Sequence, residues 1–302
     1  CHQFLNNRQV LHDTVTAMCA TSDRNQFVLG FRDGQVHLRS GISGAVLRPF
    51  KGHKSPVRAV CLHQTLLFAG AEDSTVRIWS LRDGGKSVKQ VIGTPRRMSA
   101  VNAICVTHDG RHLVTAAADF CVYVWRIADG TLLKTLKGHT SAVTAIHWDS
   151  ERERVVTGGS DESLRVWSLT GLQPEPQLVD TIDCKHQWVT AMCVTLDGRD
   201  IFTASHDGCV RQFSVDDGAL VKVFGGQHRE CVRCVCLSKD GAFLLTGSED
   251  STVRVWSLAT GQVVKTFEFD GAAVHHMLQS GDGKHLLVCC DDKTLHTVLL
   301  AL

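Results

Sequence analysis

Residues 244–256 read Leu244-Leu245-Thr246-Gly247-Ser248-Glu249-Asp250-Ser251-Thr252-Val253-Arg254-Val255-Trp256. An apolar pair comes first, then small or hydroxyl residues, an aspartate, a β-branched run and a tryptophan. Residues 155–167 repeat the phrase as Val155-Val156-Thr157-Gly158-Gly159-Ser160-Asp161-Glu162-Ser163-Leu164-Arg165-Val166-Trp167. The aspartate marks the repeat along the whole chain. Asp33, Asp73, Asp119, Asp161, Asp207, Asp250 and Asp292 follow one another at 40, 46, 42, 46, 43 and 42 residues. Short alternating segments at a period in the low forties mark units that cannot bury their faces alone and must stack.

Each unit predicts four short strands. The first is typified by Ala142-Val143-Thr144-Ala145-Ile146. Asp-Gly turns often follow, at Asp109-Gly110, Asp197-Gly198, Asp240-Gly241 and Asp282-Gly283, a strong hairpin signal. The second is an apolar pair plus Thr, as in His112-Leu113-Val114-Thr115. The marker Asp sits in the next tight turn, and the third strand ends at Trp. The fourth is of the Leu132-Leu133-Lys134-Thr135-Leu136 type. No stretch reads as a long amphipathic helix.

Composition fits this picture. The 302 residues are 43% hydrophobic and carry a formal net charge of +1. All-β barrels and propellers reach this length as one domain. No basic field invites nucleic acid, and no acidic tail suggests a disordered arm. The apolar runs fall far short of the ~20 residues of a membrane span. No basic-then-apolar leader opens the chain. It begins at Cys1 rather than Met, which reads as a piece of something longer.

The thirteen cysteines fall on the repeat. Cys19, Cys61, Cys105, Cys193 and Cys236 share one position in the first strand, where a small apolar side chain fills a gap. Stacked sheets lie ~10 Å apart and a disulfide needs Cα atoms within roughly 7 Å, so equivalent cysteines in neighbouring units do not suit a bridge. The odd count and lack of framework spacing point to a reducing compartment. Cys231, Cys234 and Cys236 lie on one predicted strand, with Cys231 on the opposite face from the other two. They lack the fourth ligand and paired spacing of a zinc site. Cys289-Cys290 and His275-His276 also fall on predicted strands and read as structural.

The chain resembles a WD-repeat β-propeller over essentially its whole length. Gly52-His53, Gly138-His139 and the near-match Gln227-His228 stand where that family has Gly-His. Trp79, Trp125, Trp167 and Trp256 stand where it has Trp. Ser80, Ser168, Ser257 and Arg126 replace the Asp that usually follows. Arg39 replaces the Trp in the first unit, Phe213 in the fifth and Val298 in the seventh, while His186 keeps the His of the fifth.

The expected fold is all-β: a seven-bladed propeller of four-stranded antiparallel blades. The seventh unit stops at Leu302 after its third strand, and residues 3–10 have no unit of their own. Pairing the two ends completes the last blade and removes an open edge. The expected divisions are residues 1–10 closing blade 7, then 11–50, 51–92, 93–136, 137–182, 183–224, 225–267 and 268–302. Deleting residues 1–10 should lower the melting temperature by several degrees; an unchanged melting curve would count against a shared blade.

His, Thr, Asp and Trp recur together, which out of context invites a hydrolase reading. A catalytic triad needs one constellation with an exposed nucleophile and an oxyanion site, whereas this set recurs in several units. The family resemblance implies a buried structural chain: indole to Thr hydroxyl, hydroxyl to His, His to Asp. The residues expected in such chains are His53, Asp73, Trp79, Thr115, Asp119, Trp125, His139, Thr157, Asp161, Trp167, His186, Thr203, Asp207, His228, Thr246, Asp250 and Trp256. No Gly-x-Ser-x-Gly elbow, Walker loop, His-Glu-x-x-His or dinucleotide fingerprint is present. No catalytic residue, metal or cofactor is expected.

Function in such a ring lives on loops held by a rigid scaffold. The position opening the first strand is Pro56, Ala100, Ala142, Cys231 and Ala273 in other units but Trp188 in the fifth. By resemblance it lies at the rim of the central channel. Trp188 is either a partner-binding anchor or a volume filler for a unit whose own Trp is Phe213. The residue after the marker Asp is Phe120 in the third unit. The residue before it includes His206, and Glu72, Glu249 and Asp291, which suggest an acidic sector suited to a basic peptide. Arg97, beside Arg96, could offset that field.

The expected function is a non-enzymatic scaffold that binds a protein or peptide on its top face and rim. Alternatives are the sensor or autoinhibitory domain of a larger nucleotide-switch protein, a ubiquitin-ligase substrate receptor (Ile78-Trp79-Ser80-Leu81-Arg82 is similar to its Trp-Asp-x-Arg box, with Ser80 for Asp) and an RNA-binding propeller. The expected location is the cytoplasm or nucleus.

Overall fold

A computed structural model describes residues 5–21, 25–41, 43–82, 87–93, 99–150, 152–169, 177–184, 188–195 and 197–300. The described residues form seven four-stranded antiparallel sheets and no helix. Six sheets take four consecutive strands. Blade 6, for example, runs from its inner strand Val232–Leu237 through Phe243–Ser248 and Thr252–Ser257 to its outer strand Val263–Glu268. The seventh joins Val274–Gln279, His285–Cys290 and Thr294–Leu299 to the N-terminal strand Leu5–Val10. That strand pairs antiparallel with Thr294–Leu299, with Val10 opposite Thr294. Each inner strand lies beside the next, and Val274–Gln279 returns to Val15–Ala20 of blade 1, so the ring is closed.

Side-chain alternation explains the core. A strand sends successive side chains to opposite faces, and every blade has a neighbour on both faces. The second strands therefore read as near-continuous apolar runs, such as Phe243–Ser248 with five consecutive buried residues. The apolar clusters lie between blades. Phe50 of blade 1 packs on Trp79 of blade 2 at 5.7 Å between ring centroids, and Phe224 of blade 5 on Trp256 of blade 6 at 6.0 Å.

The tight turn after the second strand shows why aspartate marks the repeat. In all seven blades the marker carboxylate accepts the backbone N–H two residues on, at 2.9–3.3 Å. A short carboxylate that bonds its own turn is a strong turn former. The residue after it has positive φ in every blade: Gly34, Ser74, Phe120, Glu162, Gly208, Ser251 and Lys293.

Each inner strand carries a β-bulge at one equivalent place, between Val15 and Ala17, Val57 and Ala59, Val101 and Ala103, Val143 and Ala145, Val189 and Ala191, Val232 and Cys234, and Val274 and His276. A bulge inserts one residue and re-aims it. Asn102 reaches the Val143 carbonyl of the next blade at 3.0 Å, and the hydroxyls of Thr16, Thr144 and Thr190 likewise bond Val57, Val189 and Val232.

The bulge also corrects the strict alternation expected at Cys231, Cys234 and Cys236. Cys231 precedes the strand and is buried, while Cys234 and Cys236 lie beyond the bulge. All described cysteines are free thiols. Burial pushes the Cys61 thiol up to about 11, and raises Cys19, Cys105 and Cys193 as well. Such thiols stay protonated and inert at neutral pH.

Candidate protein-interaction face

The marker turns and inner-strand openings lie together on one face, called the top. In every blade the residue before the marker Asp donates its N–H to the carbonyl of the residue opening the inner strand, at 2.8–3.3 Å. The pairs are Arg32–Thr14, Glu72–Pro56, Ala118–Ala100, Ser160–Ala142, His206–Trp188, Glu249–Cys231 and Asp291–Ala273. The two positions singled out in the sequence are therefore neighbours in each blade.

Trp188 is 53% exposed and meets the His206 ring edge-on at 5.6 Å. It does not fill the space of a missing tryptophan: Phe213 sits in the blade 4–5 core and is 1% exposed. Phe120 is 45% exposed at φ 70°. Among the described residues these two are the exposed Phe, Trp and Tyr side chains, and both are on the top face. A bulky residue in the left-handed region is an outlier that costs about 1–2 kcal/mol. Phe120→Gly should raise the unfolding free energy by about 1 kcal/mol, and a denaturant melt no more stable than wild type would contradict the strain.

Two members of the expected acidic sector have arginine partners. Glu72 accepts from Arg58 (Nε at 2.7 Å), and Glu249 from Arg233 (Nε at 2.8 Å). Both arginines are bulge residues, aimed at their own rim. Two of the three expected acids are thus paired with cations. Asp291 accepts the Ala273 N–H at 3.0 Å and lines a shallow cleft between blades 6 and 7 with Glu230, Glu249 and His275. Arg97 lies outside the described residues.

The polar chains beneath this face are complete in two blades. In blade 4 the Trp167 indole donates to Thr157 Oγ1 (2.9 Å), Thr157 bonds His139 Nε2 (2.8 Å), and His139 Nδ1 donates to Asp161 (2.9 Å). Blade 6 repeats it through Trp256, Thr246, His228 and Asp250 at 2.9, 2.7 and 3.0 Å. Burial drives both imidazoles below their ordinary value, against the pull of the carboxylates. Burial opposes ionisation of Asp161 too, but the Thr140 amide and His139 outweigh it and hold the carboxyl low.

Elsewhere the chain is modified. In blade 2 Ala69 stands at the threonine position, and His53 bonds the Ala69 carbonyl (3.1 Å) and Asp73 (2.9 Å), with Trp79 buried beside it. In blade 3 Trp125 donates to Thr115 (3.0 Å), and the Tyr123 hydroxyl donates to Asp119 at 2.6 Å. In blade 5 Asp207 pairs with Arg211 at 2.6 Å and Thr203 is buried; His186 is outside the described residues. Sequence reasoning missed Tyr123 and Arg211, which occupy the place of Arg254 in blade 6. A polar residue four positions past the marker was the available signal.

The set is buried and repeated. The His139 and His228 side chains are each 1% exposed. Among the described residues no group of three or more His, Cys, Asp or Glu could hold a metal ion.

Comparison with known proteins agrees with this architecture. The profile of the WD domain, G-beta repeat matches residues 44–80, 86–126, 130–168, 176–214 and 218–257. These segments cover well over half of the chain, which therefore belongs to the WD-repeat family. Each matched segment begins at or before an outer strand and ends at the third strand of the next blade, so the repeat in sequence straddles two blades. The first three strands of the worn first unit and the whole of the seventh fall outside the matches.

The chain is 27% identical over 161 residues to autophagy-related protein 16 of Arabidopsis thaliana, covering 53% of this chain and 30% of that protein. It is 29% identical over 161 residues to WD repeat-containing protein 1-A of Xenopus laevis (52% and 26%) and 26% identical over 216 residues to nuclear distribution protein nudF of Aspergillus niger (63% and 47%). The chain spans less than half the length of each of these relatives.

Proposed function

We propose that this propeller is a non-catalytic scaffold that binds a protein or peptide on its top face, with Trp188 and Phe120 as apolar anchors and His206, Glu72, Glu249 and Asp291 as polar surroundings. The observation that carries the reading is the pair of exposed aromatics on one face, one of them at a strained backbone position. The left-handed turn position recurs in every blade, but elsewhere it is Gly, Ser, Glu or Lys; a large apolar ring left exposed there points to use outside the fold. Large aromatics on a rigid rim supply much contact area at small ordering cost, the usual character of binding hot spots.

The Arg58–Glu72 and Arg233–Glu249 pairs make two sides of the rim polar without a single-sign field. That favours a partner with mixed polarity over nucleic acid, whose binding rests on neutralising phosphates. The buried, repeated His–Thr–Trp chains support cohesion rather than catalysis. The free, protonated thiols support a reducing location such as the cytoplasm or nucleus.

The test is quantitative affinity capture with wild type and a Trp188→Ala, Phe120→Ala double variant, compared at equal stability. Partners using this face should bind the variant at least tenfold more weakly, since each hot-spot truncation costs about 2 kcal/mol. If every captured protein binds both forms equally, the recognition face is elsewhere.

A further inference from the structure

In five blades one side chain of the outer strand is buried against the blade that follows. That residue pairs across the ladder with the residue three past the marker Asp: Phe50 with Val36, Leu136 with Val122, Ile182 with Leu164, Phe224 with Val210 and Phe267 with Val253. All five are large apolar side chains, 0–5% exposed. Each enters an apolar cluster with the residue at the Trp position of the next blade: Trp79, Trp167, Phe213, Trp256 and Val298.

The N-terminal strand breaks the rule. In its register the residue opposite Leu295 is Gln9, and the Trp position of blade 1 is Arg39. The apolar pair of the other interfaces is replaced by a Gln–Arg contact, Arg39 Nη1 to Gln9 Oε1 at 3.4 Å. The guanidinium is 7% exposed; it also donates to the Gly44 carbonyl at 2.9 Å, and its Nε is buried with no hydrogen-bond partner. Gln9 Nε2 donates to the Ser43 carbonyl at 2.9 Å. On either side of Gln9, Val10 is 80% exposed and Arg8 meets Asp292 in a solvent-exposed pair at 3.1 Å.

The next residue is different again. Leu11 is 4% exposed, packs in the blade 7–1 core with Phe27, Phe31 and Leu287, and donates its N–H to the Lys293 carbonyl at 2.7 Å.

We propose that the ring has one built-in opening point: the strand Leu5–Val10 swings away from blade 7 about Leu11, while the rest of the propeller stays folded. Over Arg8–Val10 the strand is held by its backbone ladder, the Arg8–Asp292 pair and a polar latch at Gln9, without the apolar anchor that five other outer strands have there. Opening moves no core side chain between Arg8 and Val10. It uncovers the edge of Thr294–Leu299, whose unpaired backbone groups can take an added strand. Local openings of this kind cost less than global unfolding and show directly in amide exchange.

The experiment is hydrogen–deuterium exchange on the intact chain. Amides of Arg8–Val10 that pair with blade 7 should exchange at least about tenfold faster than those of Lys222–Phe224, while the Leu11 amide stays protected. Restoring an apolar pair with Gln9→Leu and Arg39→Trp should slow exchange of Arg8–Val10 by about tenfold or more. Should that variant not fold, Gln9→Ala alone should speed it, because the latch loses both glutamine contacts. Equal protection of the two outer strands in the wild type, or a Gln9→Ala rate equal to wild type, overturns the proposal.

Discussion

Asp250→Ala is expected to lower the unfolding free energy by about 3–5 kcal/mol, the range for breaking a buried ion pair from one side. The Asp250 side chain is 7% exposed. Its oxygens accept from His228 Nδ1 (3.0 Å), Arg254 Nη1 (3.0 Å), the Thr252 hydroxyl (2.6 Å) and the amides of Thr252 and Arg229 (3.1 Å each). Alanine would strand a buried guanidinium and an imidazole together. Burial opposes ionisation of Asp250, yet the Thr252 hydroxyl and His228 overcome it and hold the carboxyl far below its ordinary value. A depressed folded value means that this stabilisation is full above the ordinary carboxylate range of about 4 and is lost only as pH falls below it.

The control is Asp33→Ala. Asp33 makes the same turn bond to Gln35 and meets His12 at 3.2 Å, but its side chain is 33% exposed. Its replacement should cost about 1 kcal/mol, a lost cap rather than a broken network. Chemical denaturation of both variants decides. Equal losses would mean that the turn matters and the buried chain does not.

Acidification from pH 7 to pH 5 is expected to remove several kcal/mol of stability. Burial lowers His37, His139, His147, His228, His275, His276 and His296. A histidine held neutral when folded regains its ordinary value near 6.5 on unfolding, so the unfolded chain binds more protons below that pH. Stability therefore falls as pH drops through about 6.5 and stops falling at the lower folded value.

His37 is 8% exposed and held at about 4, beside His12 at 4.8 Å between rings; it alone contributes about 2 kcal/mol of this loss at pH 5. Asp73, Asp161 and Asp250 are lowered instead, so they contribute almost nothing in this window. Denaturant midpoints at the two pH values measure the effect, and coincident midpoints would contradict it.

The repeat was legible because its signals are local. The marker Asp bonds an amide two residues away, and the apolar pairs alternate within one strand. The seven units followed from these signals, and the shared last blade from them together with the family resemblance and the missing fourth strand of the last unit. Trp188 and Phe120 stood out as departures from positions that are small or polar in most other blades, but the choice between anchor and volume filler for Trp188 stayed open until the fold exposed it. What escaped depends on partners distant in sequence. The pairing of Glu72 and Glu249 with Arg58 and Arg233 depends on the bulge, and a bulge leaves no composition signal in Val57-Arg58-Ala59. Tyr123 reads as an ordinary strand aromatic; only the fold brings its hydroxyl to Asp119. The part Gln9 plays shows only once the register sets it opposite Leu295, where five other outer strands bury an apolar side chain.

Site-specific photocrosslinking tests the central claim that partners dock on the top face. A benzophenone side chain would be placed at Trp188, at Phe120 or, as the control, at Val221 on the outer strand of blade 5, which is 55% exposed. Partners that co-purify with wild type should crosslink from positions 188 and 120 and leave position 221 unlabelled. Crosslinking from 221 with none from 188 or 120 would contradict the account.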